Sequence, residues 1–159
     1  MRLTAYTDFA LRTLMYLATN RDSLATIGQI ADEHGIAKNH LTKVVHQLGL
    51  LGFVETVRGR NGGLRLARDP EHITIGEVVR QTETDFHMAA CFDDQSAGCI
   101  LASACGLKGT LGRATQAFLA VLDDATLKAM VVREEHKKRA PGAPQTLQLH
   151  YQPQKRAKP

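Results

Sequence analysis

The chain has 159 residues, 43% of them hydrophobic, and a formal net charge of +4. That length allows one domain with a real core, or a small domain with an appendage. No apolar run approaches the roughly 18–20 residues that a bilayer span needs. The opening MRLTAYTDFALRTL enters an amphipathic pattern at once, without the h-region or cleavage site of a signal peptide. A reducing cytoplasm with no membrane partner is therefore the expected setting.

Charge is unevenly spread. Residues 1–68 carry nine Lys or Arg against five Asp or Glu, and residues 69–138 carry seven against eleven. The last 21 residues add four basic groups and no acidic one. A basic first half suits a polyanion-binding surface.

The first helix is predicted from Thr4, a good N-cap, to about Ala18, with Ala10, Leu14 and Leu17 inward. Arg21, Asp22 and Ser23 make a turn. Thr26 caps a second helix of about eight residues with Ile27, Ile30 and Ala31 inward, and Gly35 stands where a helix end favours a left-handed residue. After Ile36 and Ala37 comes a third helix, KNHLTKVVHQL, with Leu41, Val44, Val45 and Leu48 on one face. It starts at Lys38, and its other face bears Asn39, His40, Thr42, Lys43, His46 and Gln47, all able to hydrogen-bond base edges or phosphates. Helix, short Gly-bearing turn, helix is the helix-turn-helix pattern.

Residues 53–67, FVETVRGRNGGLRLA, read as a β-hairpin around Gly59-Arg60-Asn61-Gly62-Gly63, since Asn-Gly is a strong hairpin signal. Leu64 and Leu66 alternate with Arg65, so one face packs and the other is basic; Arg58, Arg60, Asn61 and Arg65 cluster on and beside the tip. A helix-turn-helix followed by a basic, glycine-tipped hairpin predicts a winged helix, mainly α with a small β wing. Its recognition helix would enter the major groove of double-stranded DNA, and its wing would reach a phosphate track or the minor groove.

Thr74 caps a further helix, ITIGEVVRQTE, with Ile75, Val78 and Val79 inward. Leu107, Leu111, Ala114, Phe118 and Val121 then repeat at spacings of four and three. That seam exceeds what a small winged domain needs for its own core and is too short for a free coiled coil, so packing against the same helix of a second copy is expected. Thr126 opens a last short helix to about Val132. The predicted organisation is a winged helix-turn-helix domain at 1–83 and a cysteine-containing loop at 84–106. A dimerisation helix with a closing helix follows at 107–132, and a basic tail at 133–159.

All three cysteines lie in CFDDQSAGCILASAC, spaced C-x7-C-x5-C among small or polar residues. Three thiols cannot all pair within one chain. Tetrahedral zinc sites usually carry C-x(2–4)-C pairs, and a catalytic thiol needs no second or third neighbour. Iron–sulfur clusters are held by thiolates on irregular loops. From the residues alone an iron–sulfur cluster leads, with zinc, a thiol redox switch, or cysteines that bind nothing as alternatives.

The opening MRLTAYTDFALR, the KNHLTKVVHQL helix, the VRGRNGGLRLA wing, the ITIGEVVR helix and the three-cysteine loop occur in that order. Together they resemble the NsrR/IscR/RirA family of iron–sulfur winged-helix repressors, over about residues 1–132. Within it, the Asn39-His40 helix and the run into the loop are most similar to the NsrR branch. The resemblance implies Cys91, Cys99 and Cys105 as ligands of a 2Fe–2S or 4Fe–4S cluster, with Asp8 of the partner subunit in the fourth place. IscR-like proteins carry a histidine three residues beyond the last cysteine, where this chain has Lys108. The seven-residue gap between Cys91 and Cys99 is longer than in several NsrR proteins and is shared by RirA-like iron sensors.

The function so implied is a homodimeric, non-enzymatic repressor. It senses nitric oxide and releases the operator of nitrosative-stress genes on cluster nitrosylation or loss. The alternative within regulation is an iron-availability or redox sensor of the RirA or IscR type. From another class stands a small electron-transfer protein with an incidental basic hairpin, which predicts reversible reduction without sequence-dependent DNA affinity. An enzyme has almost nothing behind it, since the sequence offers no nucleotide loop, no acid/base pair with usable spacing and no triad order.

Overall fold

The computed structural model describes residues 2–92 and 105–131. Helix α1 (Ala5–Thr19) begins where Thr4, in extended backbone, accepts the Thr7 N–H on its hydroxyl at 3.2 Å. Ala10, Leu14 and Leu17 are buried as expected, and so are Thr7 and Thr13. Thr13 is tolerated there because its hydroxyl donates to the Phe9 carbonyl at 2.7 Å, so no polar group is stranded.

Helix α2 (Ile27–His34) opens with a reciprocal capping box. The Thr26 hydroxyl accepts from the Gln29 backbone N–H at 3.2 Å, and Gln29 Oε1 accepts from the Thr26 N–H at 2.8 Å. It closes at Gly35, left-handed at φ 62°, as the sequence predicts. Helix α3 (Lys38–Leu50) extends two residues beyond the predicted segment and buries Leu41, Val44, Val45 and Leu48.

Strands β1 (Val54–Val57) and β2 (Gly63–Leu66) pair antiparallel, with Val54 opposite Leu66 and Val57 opposite Gly63. The tip is therefore the five residues 58–62, one residue earlier than the predicted run 59–63, because Gly63 pairs with Val57 in the ladder. Among the described residues only glycines have positive φ, and in the tip that is Gly59 at 126°. Asn61-Gly62 located the hairpin for a different reason: a Cβ on Gly62 would collide with the Val57 carbonyl. A third strand-like contact was not expected. Ala25, just before α2, exchanges both backbone bonds with Leu64, at 3.1 and 2.8 Å, and ties the wing to the helix-turn-helix.

After a 3-10 turn at Pro70–His72 comes helix α4 (Ile75–Thr82), capped by Thr74, whose hydroxyl accepts the Glu77 N–H at 3.1 Å. A second 3-10 turn spans Ala90–Phe92, and helix α5 (Gly106–Asp123) follows. Residues 127–131 are helical, with Thr126 accepting the Ala129 N–H at 3.2 Å. Two backbone bonds, Ile75 N–H to the Ala125 carbonyl and Leu127 N–H to the Ile73 carbonyl, both 2.8 Å, join this end to the start of α4.

Helix α1 packs against α2, α3, α4 and β2, and α4 packs against α5. Leu14, Ile30, Leu41, Leu48, Phe53, Ile73, Val78 and Leu127 are fully buried in one core. Among the described residues no helix is long and apolar enough to cross a membrane. The expectations for residues 93–104, which include Cys99, and for Val132 and the 133–159 tail lie outside the described residues.

Removing the Thr26 hydroxyl deletes one half of the capping box. Thr26→Ala is expected to lower stability by about 1 kcal/mol, or about 2–4 °C in the thermal midpoint for a chain of this size. Urea unfolding should show the midpoint fall with the slope unchanged.

Candidate nucleic-acid interface and cysteine site

The helical repeat that buries Leu41, Val44, Val45 and Leu48 turns the opposite face of α3 to solvent. Lys38, Asn39, His40, Thr42, Lys43 and His46 are all exposed. Thr42 is the one whose hydroxyl is engaged, donating to the Lys38 carbonyl at 2.9 Å. The N-cap residue of α3 is Ala37, which makes no side-chain cap bond. The first-turn N–H groups at this end of the exposed face thus have no side-chain acceptor, a favourable setting for an anion.

Arg58, Arg60 and Asn61 are exposed at the wing tip. The wing is fixed to the end of α3 by two backbone bonds, Phe53 N–H to the Leu48 carbonyl and Ala67 N–H to the Phe53 carbonyl, each 2.9 Å. The Arg68 guanidinium lies 5.0 Å over the Phe53 ring.

Ion pairing sorts the cations. Arg12 pairs with Asp8, Arg21 with Asp69 (3.2 Å), Arg65 with Glu55, Arg68 with Glu77 (2.8 Å), Arg80 with Asp123, and Lys128 with Glu71. Backbone and Arg21 hydrogen bonds hold the Asp69 carboxyl below its usual range. Lys38, Lys43, Arg58 and Arg60 have no carboxylate partner among the described residues. Of the basic residues expected at the DNA surface, only Arg65 is neutralised, by the cross-strand Glu55 that sits in register with it.

Cys91 and Cys105 are free, half-buried thiols. Cys91 lies in the Ala90–Phe92 turn and Cys105 is the N-cap of α5, where it makes no side-chain cap bond. Phe92 brings the two segments together. Its ring stacks on His87 at 6.5 Å between centroids, Lys108 Nζ sits 5.8 Å from its centre, and a Cβ at Gly112 would stand 4.0 Å from its Cε1. Lys108 thus serves as a cation over an aromatic ring in the first turn of α5. Asp8, on α1, is held by Arg12 one turn later, with Nε donating at 3.1 Å, an i,i+4 pairing that the sequence spacing could have flagged. The Phe92 contact has no such local signature, because it joins residues that are far apart along the chain.

Helix α5 has no buried residue. Leu119 and Leu122 pack on the core, whereas Leu107 and Val121 are 64% and 69% exposed. Of the predicted seam, Leu107, Ala114 and Val121 are exposed, whereas Leu111 and Phe118 are half-buried, Phe118 one turn before the core-packed Leu122.

These features recur in known proteins. The Rrf2 family model, described as an iron-dependent transcriptional regulator, matches residues 3–133. The chain is 52% identical over 137 residues to the HTH-type transcriptional regulator NsrR of Bacillus licheniformis, which covers 86% of this chain and 96% of that protein. With NsrR of Bacillus subtilis it shares 53% over 136 residues, 85% of this chain and 93% of that one. The solved structure of T. potens IscR superposes with a TM-score of 0.70 at 23% identity, covering 89% of this chain and 94% of that one, so the winged-helix fold is common to both. The chain belongs to the Rrf2 family of transcriptional regulators.

Proposed function

We propose that the chain acts in the cytoplasm as a homodimeric repressor. It carries an iron–sulfur cluster on Cys91, Cys99 and Cys105 and leaves its operator when nitric oxide reaches that cluster. The observation that carries the DNA-binding part is the sorting of charge: the cations left unpaired in the first half are concentrated on α3 and the wing tip. Lys38, Lys43, Arg58 and Arg60 would neutralise phosphates and set the register on the duplex. Asn39, His40, Thr42 and His46 would meet base edges in the major groove, and Asn61 would join the tip contacts, with Arg65 a weaker contributor beside Glu55.

The cysteine residues suit the cofactor. Two half-buried free thiols stand on segments joined by Phe92, and one of them heads a helix whose first-turn N–H groups lack a side-chain acceptor, a setting that favours anionic ligands. Cys91, Cys99 and Cys105 would hold the cluster, with Asp8 of the partner subunit as the fourth ligand. When bound, the cluster supplies an iron that nitric oxide can attack at its weakest ligand position. The names of the relatives support nitric oxide as the signal. The C-x7-C gap and the description of the family as iron-dependent favour one second reading, a sensor of iron supply.

The exposed seam on α5 supports a dimer in which the two copies of this helix face each other and set the distance between the two reading heads. Leu107→Glu with Val121→Glu should leave each protomer folded, since neither side chain is buried. Sedimentation is expected to report the monomer mass, with operator affinity falling by about 10²- to 10⁴-fold as bivalent binding is lost.

Both protomers carry the change, so Lys43→Ala and Arg60→Ala are each expected to reduce the slope of log affinity against log salt by about 1.8 for the dimer, about 0.9 per head, weakening all sequences alike. Asn39→Ala should instead cost about 1–3 kcal/mol on the operator and relax its specificity. Purified without oxygen, the full chain should be coloured and contain iron and sulfide, and the Cys91→Ser, Cys99→Ser, Cys105→Ser variant should be colourless. Titration with nitric oxide and, separately, with an iron chelator distinguishes the two signals. Undiminished operator release by the colourless variant on nitric oxide would sink the cluster reading.

A further inference from the structure

Among the described residues, helix α5 is attached far more densely at one end than at the other. Toward Cys105, residues Gly106 to Thr110 are exposed, and the contacts described above between this end and other elements are those of Phe92 with Lys108 and Gly112. Toward Asp123 the attachment is dense. Leu119 and Leu122 pack on the core, and two backbone bonds join residues 125 and 127 to the start of α4. Arg80 grips Asp123 with both guanidinium nitrogens, one bond measuring 2.7 Å from Nη2 to Oδ2. Helix α4 comes very close here. A Cβ on Gly76 would stand 2.8 Å from the Asp123 backbone nitrogen and would collide with its carboxylate.

An exposed ion pair adds little to stability. A forked guanidinium–carboxylate pair does fix orientation, because two parallel bonds resist rotation where one does not. The Arg80 hydrogen bonds hold the Asp123 carboxyl below its usual range, so the pair stays charged at neutral pH.

Behind the pair runs a continuous path to the reading helix. Helix α4 packs on α1 and α1 on α3. Glu83, directly after α4, accepts from both the backbone N–H (2.7 Å) and the hydroxyl (3.1 Å) of Thr4, the N-cap of α1.

We infer that Arg80 and Asp123 are positioning residues of the regulatory response. They are the fulcrum about which α5 turns when its Cys105 end moves, and they pass that rotation through α4 and α1 to α3. This rests on the reading that the cysteine loop is the responsive element. Among the described residues the pair contacts neither Cys91 nor Cys105 and lies outside α3 and the wing, so its loss should spare both binding functions and remove their coupling.

The test uses the full chain, prepared without oxygen, as parent, Arg80→Ala, Asp123→Asn and the double variant. Operator affinity is measured with the cluster loaded and after it is stripped, together with iron and sulfide content. In the parent the loaded-to-stripped ratio should fall in the ordinary range for coupled sites, about 5- to 150-fold. Each single variant is expected to keep the parent's iron content and its loaded affinity within about threefold, while the ratio drops at least about threefold. The double variant should lose no more than either single, as expected for two groups acting as one unit.

Hydrogen exchange supplies a second readout. Stripping should loosen both α4 and the first half of α5 in the parent, and only α5 in the variants. Arg80→Lys, which keeps the charge but not the fork, is the gentler variant should Arg80→Ala unfold, and should give an intermediate ratio. Variants that retain the parent's ratio, or whose α4 still loosens on stripping, overturn the proposal. A parent whose ratio is one overturns the cluster reading itself, and the fulcrum falls with it.

Discussion

Burial of Leu41, Val44, Val45 and Leu48 beneath α3 decides where each chemically useful group of that helix goes. Each such side chain is worth about 1.5–3 kcal/mol in contact with the core, far more than any surface hydrogen bond on the outer face contributes to folding. The helical repeat then leaves Asn39, His40, Thr42, Lys43 and His46 no orientation except outward. The same core reaches the wing through Phe53, which is fully buried and whose backbone bonds both Leu48 and Ala67. With Ala25 stitched to Leu64, recognition helix and wing form one body. The groups facing solvent can therefore differ between relatives without disturbing the part that holds them.

Electrostatics follows the same division. Where an arginine lies between elements it has a carboxylate: Arg68 with Glu77, Arg21 with Asp69, Arg80 with Asp123. Such pairs orient neighbouring segments and cancel one another's field at a distance. Cations left without a partner project a field that a polyanion feels from about a Debye length away. The modest formal charge of +4 conceals this, since it sums paired and unpaired groups alike.

The helical elements and the hairpin were legible in the sequence because their signals are local. Thr26 with Gln29, Gly35 at the end of α2 and the four apolar residues of α3 each act within a turn or two. The wing's tip was legible to within one residue. The run 59–63 marks it, and the pairing of Gly63 with Val57 shifts it to 58–62, with Gly59 at positive φ and Gly62 close against the Val57 carbonyl. The Ala25–Leu64 bridge, the fork of Arg80 on Asp123 and the seat of Phe92 on α5 join residues 39, 43 and 16 positions apart at their nearest, and no periodicity encodes them. The cysteine spacing favoured thiolate ligation over a redox switch or inert thiols without excluding them, because the geometry that decides between them is not carried by spacing.

The rigidity of the reading head limits how such a regulator can respond. Among the described residues, the α3 and wing groups offered to DNA have no contact with Cys91 or Cys105. Within one head, then, the same groups face DNA before and after the cysteines respond. What can change is the placement of one head relative to the other. In a dimer the second head binds at an effective concentration set by geometry, and misplacing it forfeits a factor of about 10²–10⁴ without altering any contact in the first. A helix such as α5, attached among the described residues chiefly toward Asp123, with Leu107, Ala114 and Val121 turned to solvent, has the form that such a response requires. A small displacement at the Cys105 end changes the seam's angle, and the attached end carries that turn into the head through α4 and α1.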